Sequence, residues 1–150
     1  MTITFYSKTA GYEWLSNFSE HGFVLDNAYW PSVEHYYQAQ KFPGTKAAQQ
    51  IRVAETALIA KTMSQDPTLV VRADWPNVKE TVMKRALREK FFQNKSILDR
   101  LLNTGDEELV HFSNQDHFWG RDNNGRGENR LGILLMELRN ELRPEKPHSQ

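Results

Sequence analysis

The chain has 150 residues, 39% of them apolar and 25% charged, and nineteen Lys plus Arg balance nineteen Asp plus Glu to a net charge of zero. That composition fits one ordinary folded domain and excludes collagen, wholesale disorder and a generally basic nucleic-acid coat, though not a local basic patch. The chain has no cysteine, so disulfides, thiolate metal sites and a thiol nucleophile are excluded as well.

In chain order, Ile3-Thr4-Phe5-Tyr6 alternates weakly and predicts a short strand. Gly11 to Asn17 reads as a turn carrying Trp14 and Leu15, with Phe18 just after. Phe23-Val24-Leu25 and Ala28-Tyr29-Trp30 flank Asp26-Asn27 and predict a small hairpin. Ser32 is a good N-cap for a helix running to about Phe42, where Pro43-Gly44 stops it. Residues 46–64 read as one or two helices, with Ile51, Ala54, Leu58 and Met63 in phase; Leu69-Val70-Val71 is ambiguous. Asp74-Trp75-Pro76-Asn77 opens a helix in which Asn77 and Glu80 have capping-box spacing. Val78, Val82, Met83, Ala86, Leu87 and Phe91 then form a helical stripe to about residue 93.

Ser96 to Leu102 predicts a short helix ending near Gly105, and Leu109 to Phe112 a further strand. A polar, glycine-containing loop spans 113–127. The last helix, about 129–142, carries Leu131, Leu134, Leu135, Leu138 and Leu142. The sum is a helix-rich α+β single domain with a small antiparallel sheet over residues 1–143, and 144–150 is expected to be a disordered tail. No apolar run approaches the roughly 20 residues needed to span a bilayer. The start Met1 to Tyr6 lacks a basic-then-apolar leader. The expectation is a cytoplasmic protein without a membrane partner.

Two places could carry chemistry. At about 100° per residue, the helix 32–42 puts Tyr37, Gln38 and Lys41 at about −60°, +40° and −20° from Glu34, one polar stripe. Glu34 lies in the first turn, where the helix dipole favours an anion. The stripe reads either as a solvated face or as a carboxylate, a cation and two polar groups aimed into one pocket, with Trp30 and the tyrosines excluding water. The second place is Trp119-Gly120-Arg121-Asp122-Asn123-Asn124-Gly125-Arg126-Gly127-Glu128-Asn129-Arg130-Leu131-Gly132. It supplies three arginines and four glycines and runs into a helix N-terminus, whose free amides suit a phosphate. It fits neither the Walker spacing nor the dinucleotide fingerprint. Gly132 is either a packing glycine or a point of close ligand approach. Upstream, Asp116 beside Trp119 reads as a second carboxylate or a hydroxyl-binding residue rather than as half of a metal site with His117. Trp75 reads first as a hydrophobic staple. The residues alone describe a pocket for a phosphorylated, flat-ringed or sugar-bearing small molecule and name no reaction.

The run Trp30-Pro31-Ser32-Val33-Glu34-His35-Tyr36-Tyr37-Gln38-Ala39-Gln40-Lys41-Phe42 resembles the first hallmark of the NADAR (YbiA-like) family. Tyr6, Ser16-Asn17-Phe18, Asp74-Trp75, Val78-Lys79, Val82-Met83 and the closing run from Trp119-Gly120 to Leu131-Gly132 extend the resemblance over residues 3–142. It implies a compact helix-rich α+β domain acting on N-glycosides of ribose phosphates. Two activities are implied: removal of ADP-ribose from ADP-ribosylated guanine in DNA or RNA, and hydrolysis of the N-glycosidic bond in phosphoribosylamino-pyrimidine intermediates of riboflavin biosynthesis. A non-catalytic module binding ADP-ribose or NAD metabolites is the third reading. The resemblance carries functional importance onto Glu34, Trp75 and Asp116, and matches Lys41.

The expected scheme makes Glu34 the acid/base carboxylate. Asp116 binds ribose hydroxyls or activates water. Lys41 stabilises charge or attacks the opened sugar as an amine. Asn17, Phe18, Tyr37 and Gln38 contact the substrate, Trp75 and Trp119 stack or exclude water, and Gly120, Arg121, Gly125, Arg126, Gly127 and Asn129 form the phosphate-binding loop, with Arg130 beside them. No metal or cofactor is required. Where family members often continue Trp-Gly with Asp-Gly-Gly, this chain has Arg121-Asp122-Asn123, which favours a ligand with more phosphate.

Overall fold

In the computed structural model of the chain, residues 1–144 are described, so the expected disordered tail falls almost wholly outside the described residues. The elements run β1 Thr2–Phe5, β2 Phe23–Leu25, β3 Ala28–Trp30, α1 Val33–Ala39, α2 Lys46–Arg52, α3 Ala57–Ser64, α4 Trp75–Gln93, α5 Lys95–Asn103, β4 Glu108–His111 and α6 Arg130–Leu142. They divide into two compact units, Tyr6–Lys95 and Met1–Phe5 with the chain from Ser96 on.

In the unit Tyr6–Lys95, β2 and β3 form the expected antiparallel hairpin, with Phe23 opposite Trp30. Asp26 and Asn27 turn it, at φ 54° and 60°, a pair of left-handed residues that Asp and Asn tolerate and whose twist matches a two-residue hairpin. The Asp26 carboxylate accepts from Tyr36 Oη at 2.7 Å and from Arg85 Nη2 at 2.8 Å, tying the turn to α1 and α4. The Arg85 hydrogen bond holds the Asp26 carboxyl below the usual carboxylate range.

Ser32 caps α1 as expected, its Oγ accepting from His35 N at 3.2 Å. His35 Nε2 lies 3.0 Å from Ala54 O, and a carbonyl only accepts, so the ring proton sits on Nε2 and Ser32 Oγ donates to Nδ1 at 2.7 Å. Burial lowers the pKa of this imidazole. Helix α1 packs against α2, α3, α4 and β3, and all seven of its residues are buried. The polar stripe is therefore not a solvated face. The helix ends at Ala39 rather than near Phe42: Lys41 N and Phe42 N bond back three residues, to Gln38 O and Ala39 O. Pro43 disfavours helical geometry at Phe42 and has no N–H to continue the ladder.

Residues 46–64 form two helices because each finds a threonine cap, Thr45 for α2 and Thr56 for α3. Leu69-Val70-Val71 is irregular. Helix α4 begins at Trp75, which overturns the Asn77–Glu80 capping box. Pro76 enters the first turn, where a missing N–H is harmless, and Asn77 N already bonds Asp74 O at 2.9 Å. Asp74 makes no side-chain cap; its carboxylate is taken by Arg72 at 2.6 and 2.8 Å.

Lys90, near the end of α4, is fully buried, and burial alone pushes its amine down from 10.5 to about 7. Between those values the unfolded chain binds a proton that the folded chain does not, so stability rises with pH across that window. Lys90→Met removes the slope. The stability advantage of Lys90→Met over the parent, greatest below about pH 7, should shrink by about 2 kcal/mol between pH 7 and 9 in paired urea unfolding curves. A constant difference across that range would contradict the buried amine.

In the other unit, β1 pairs with β4 in parallel, Ile3 opposite Leu109, and Phe112 N extends the ladder to Phe5 O at 2.9 Å. Helix α6 packs on β4. A Cβ on Gly132 would stand 2.1 Å from Leu109 O, so Gly132 is a packing glycine. Among the described residues, no helix is long and apolar enough to cross a membrane.

Candidate active site

Glu34 and Gln38, one turn apart on α1, are each 6% exposed. Gln38 Nε2 donates to Glu34 Oε1 at 2.8 Å. An ionised carboxylate only accepts, so the amide must turn its NH2 toward Glu34 and its oxygen away. Asn17 joins them: its carbonyl accepts from Glu34 N at 3.1 Å, one of the first-turn amides with no partner inside the helix. Its Nδ2 donates to Met83 Sδ at 3.5 Å. Gln38 Oε1 and Asn17 Oδ1 are both buried without a hydrogen-bond partner among the described residues. Buried acceptors left in this way suit a ligand that brings donors, hydroxyl or amine hydrogens.

Tyr37 carries the second grouping. Its ring meets Trp75 edge to face, centroids 5.0 Å apart. Lys41 Nζ sits 5.5 Å from the Tyr37 centroid and 5.8 Å from that of Trp75, within range of a cation–π attraction. Lys41 lies past the helix end, in the tightened turn, and its carbonyl accepts from Arg72 N at 2.9 Å. That bond draws the segment leading into α4 against α1 and brings Trp75 to Tyr37. Trp75 is thus the first helical residue and a wall for an ammonium, not a staple. Phe18, half-buried, has Lys61 Nζ 5.9 Å from its ring centroid.

The loop after β4, in the other unit, is built around two aspartates. Asp116 is exposed, and its Oδ1 accepts from Phe118 N at 3.1 Å and Trp119 N at 2.9 Å. Asp122 Oδ1 accepts from Arg126 N at 3.0 Å and Asn124 N at 2.9 Å. The Arg126 amide is foremost in holding the Asp122 carboxyl below the usual range. His117 Nε2 lies 3.2 Å and Arg126 Nε 3.6 Å from Asp122 Oδ2. Arg121 reaches Glu108 at 3.4 Å, while the Arg126 side chain is 72% exposed.

Where this loop enters α6, four successive amides expected to be free are already used. Glu128, Asn129, Arg130 and Leu131 N donate to the carbonyls of His117, Gly120, Phe118 and Trp119, and Gly125 N to Asp122 O. Gly127, at φ 127°, lets the loop close: a Cβ there would stand 2.2 Å from Gly120 O. Gly120 has no room for a Cβ either, which would lie 2.9 Å from His111 O. Asn129, left-handed at φ 51°, turns its side chain onto β4: Nδ2 donates to Leu109 O at 3.0 Å and Oδ1 accepts from His111 N at 2.9 Å. Trp119 is buried and meets Phe118 edge to face at 4.7 Å. What this loop offers an anion is the exposed Arg126 guanidinium rather than a cradle of amides.

Sequence reasoning missed Lys90, Ser16 and Met83 as parts of one arrangement. Lys90 Nζ donates to Ser16 O at 2.9 Å. The signal was present: Lys90 stands four residues after Ala86 and seven after Met83, on the buried stripe of α4.

The family model of the NADAR domain matches residues 4–143. The N-glycosidase YbiA of Escherichia coli (strain K12) is 42% identical over 144 residues, 96% of this chain and 90% of that protein. The N-glycosidase Npun_R5314 of Nostoc punctiforme is 44% identical over 146 residues, 95% of this chain and 94% of that protein. The riboflavin biosynthesis protein VVA0006 of Vibrio vulnificus is 39% identical over 147 residues, 98% of this chain but 40% of that larger protein. The NMR structure of E. coli YbiA superposes with a TM-score of 0.86 at 42% identity, covering 94% of this chain and 84% of that one. The fold is the expected one, a helix-rich α+β single domain with a small antiparallel sheet in the β2–β3 hairpin. A family match from residue 4 to 143, with relatives alike over nearly their whole length, makes this chain a member of the NADAR domain family.

Proposed function

We propose that this chain is an N-glycosidase that removes ADP-ribose from ADP-ribosylated guanine in nucleic acid. The N-glycosidase names of its relatives in E. coli and Nostoc support the reaction class. The observation that carries the reading is the buried Glu34 carboxylate, oriented by Gln38 and flanked by the buried acceptors of Asn17 and Gln38. Hydrolysis breaks the bond between C1 of ribose and the base nitrogen and adds water: the sugar gains a hydroxyl and the base leaves with a proton. The transition state is oxocarbenium-like, and a carboxylate beside C1 can stabilise it and take the proton from the attacking water. Asn17 Oδ1 and Gln38 Oε1 accept from ribose hydroxyls. Trp75 and Tyr37 confine the Lys41 ammonium, which stabilises negative charge on the departing side. In the loop after β4, taken by itself, Asp116 is proposed as a hydroxyl-binding residue and the exposed Arg126 as a phosphate-binding one.

The riboflavin-type reading, hydrolysis of a phosphoribosylamino-pyrimidine, is favoured by one observation, the name of the Vibrio relative. A side-by-side assay separates the two. The purified protein is given a guanine-ADP-ribosylated oligonucleotide and, in parallel, a phosphoribosylaminopyrimidine. Release of ADP-ribose leaving intact guanine is expected. Turnover of the pyrimidine alone transfers the assignment to the second substrate, and turnover of neither removes both. Arg126→Ala should weaken ADP-ribose binding in calorimetry by about tenfold, the worth of one charge-assisted contact; unchanged affinity ends the phosphate role.

A further inference from the structure

Helix α4 holds the Ser16-Asn17-Phe18 turn at two points two helical turns apart. Met83 Sδ meets Asn17 Nδ2 at 3.5 Å, and Lys90 Nζ meets Ser16 O at 2.9 Å. The turn also closes on itself, with Ser19 N donating to Ser16 O at 3.1 Å and Phe18 N to Ser16 Oγ at 3.1 Å. Its Asn17 carbonyl receives the Glu34 amide at 3.1 Å. The chain of contacts therefore runs from Lys90 through Ser16 and Asn17 to the backbone of Glu34.

An amine at the Lys90 position is a poor choice for stability alone. The side chain is fully buried, next to Phe91, whose ring centroid is 5.2 Å from Nζ, and in the row of Met83, Ala86 and Leu87. Burial pushes the amine down to about 7. An apolar side chain of similar length would fill the space without that penalty. Ser16 O would keep Ser19 N as a donor, so no carbonyl would be left unpaired.

We infer that Lys90 is a positioning residue: its Nζ fixes the Ser16 carbonyl so that Asn17 stands against Glu34 in the reactive geometry. The inference rests on the proposed role of Glu34, and its test reads geometry as well as rate. Lys90 does not touch the substrate. It sets the turn whose Asn17 does, and small displacements of such a group are costly in rate.

The experiment compares the parent, Lys90→Met, Asn17→Ala and the double variant. Each is given the substrate that the parent turns over, and amide NMR spectra are recorded alongside. Lys90→Met should fold with an unreduced melting temperature, lose about tenfold in kcat with KM changed less than about twofold, and shift the Glu34 backbone amide and the Asn17 side-chain amide. In the Asn17→Ala background it should cost clearly less than in the parent, since the part relayed through the Asn17 side-chain amide is gone while the backbone carbonyl that meets Glu34 N is kept. Unmoved Glu34 and Asn17 resonances, full kcat in Lys90→Met, or an equal loss in both backgrounds each overturns the inference. Failure of Lys90→Met to fold also overturns it, because the amine would then be a folding requirement. Should the parent turn over neither substrate, the proposed function fails and the spectra alone decide the position of Asn17.

Discussion

Glu34→Gln is expected to lower kcat about 10³-fold, roughly 4 kcal/mol of barrier, while leaving KM and the melting temperature near those of the parent. The exchange is isosteric, so the site in α1 keeps its shape. The new amide oxygen can still accept from Gln38 Nε2, now at 2.8 Å from Glu34 Oε1. What disappears is the group that takes the proton and balances the charge developing at C1. Steady-state rates, with circular dichroism to verify the fold, measure this. A variant within a few-fold of the parent rate would remove Glu34 from the chemistry and leave the cluster as a binding feature.

Gly132→Ala should destabilise the protein by about 3–5 kcal/mol, lowering the melting temperature by roughly 10 °C or more. The added carbon would stand 2.1 Å from Leu109 O and 2.5 Å from both Asn129 Nδ2 and Oδ1. Neither neighbour can yield cheaply. Leu109 lies in the β1–β4 ladder opposite Ile3, and the Asn129 amide holds the backbone of β4 through two hydrogen bonds. Moving either separates α6 from its strand. Urea unfolding provides the measurement, and a loss below 1 kcal/mol would show that helix and strand are less closely seated than the geometry requires.

The short-range features of the fold were legible because local chemistry sets them. Asp26-Asn27 announced a hairpin turn, Ser32 a cap, and the leucines of 131–142 a helix, each in place in the structure. Where two local signals competed, sequence was a weaker guide. Asn77 and Glu80 had the spacing of a cap, but Pro76 fitted the first turn and Arg72 captured Asp74, so the helix began at Trp75. Burial was the larger omission. The stripe Glu34, Tyr37, Gln38 reads the same whether it faces water or protein, and only the packing of α2, α3 and α4 around α1 decides it. The arginine loop showed the opposite limit: its amides are bonded to the loop's own carbonyls, through pairings that a count of glycines cannot reveal. Lys90 stands on the same buried stripe as Met83, Ala86 and Leu87, but a single lysine among apolar residues does not by itself announce a buried amine.

The parallel pairing of β1 with β4 has a consequence for synthesis. Strand β1 leaves the ribosome ahead of everything in Tyr6–Lys95, yet the strand it pairs with is made about a hundred residues later, roughly 5–20 s at ordinary translation speed. In that interval Tyr6–Lys95 already contains its hairpin and first four helices and can condense, while the Thr2–Phe5 backbone waits with its hydrogen-bonding edge open to any passing chain. Four residues is a short edge, which keeps that exposure small until β4 arrives.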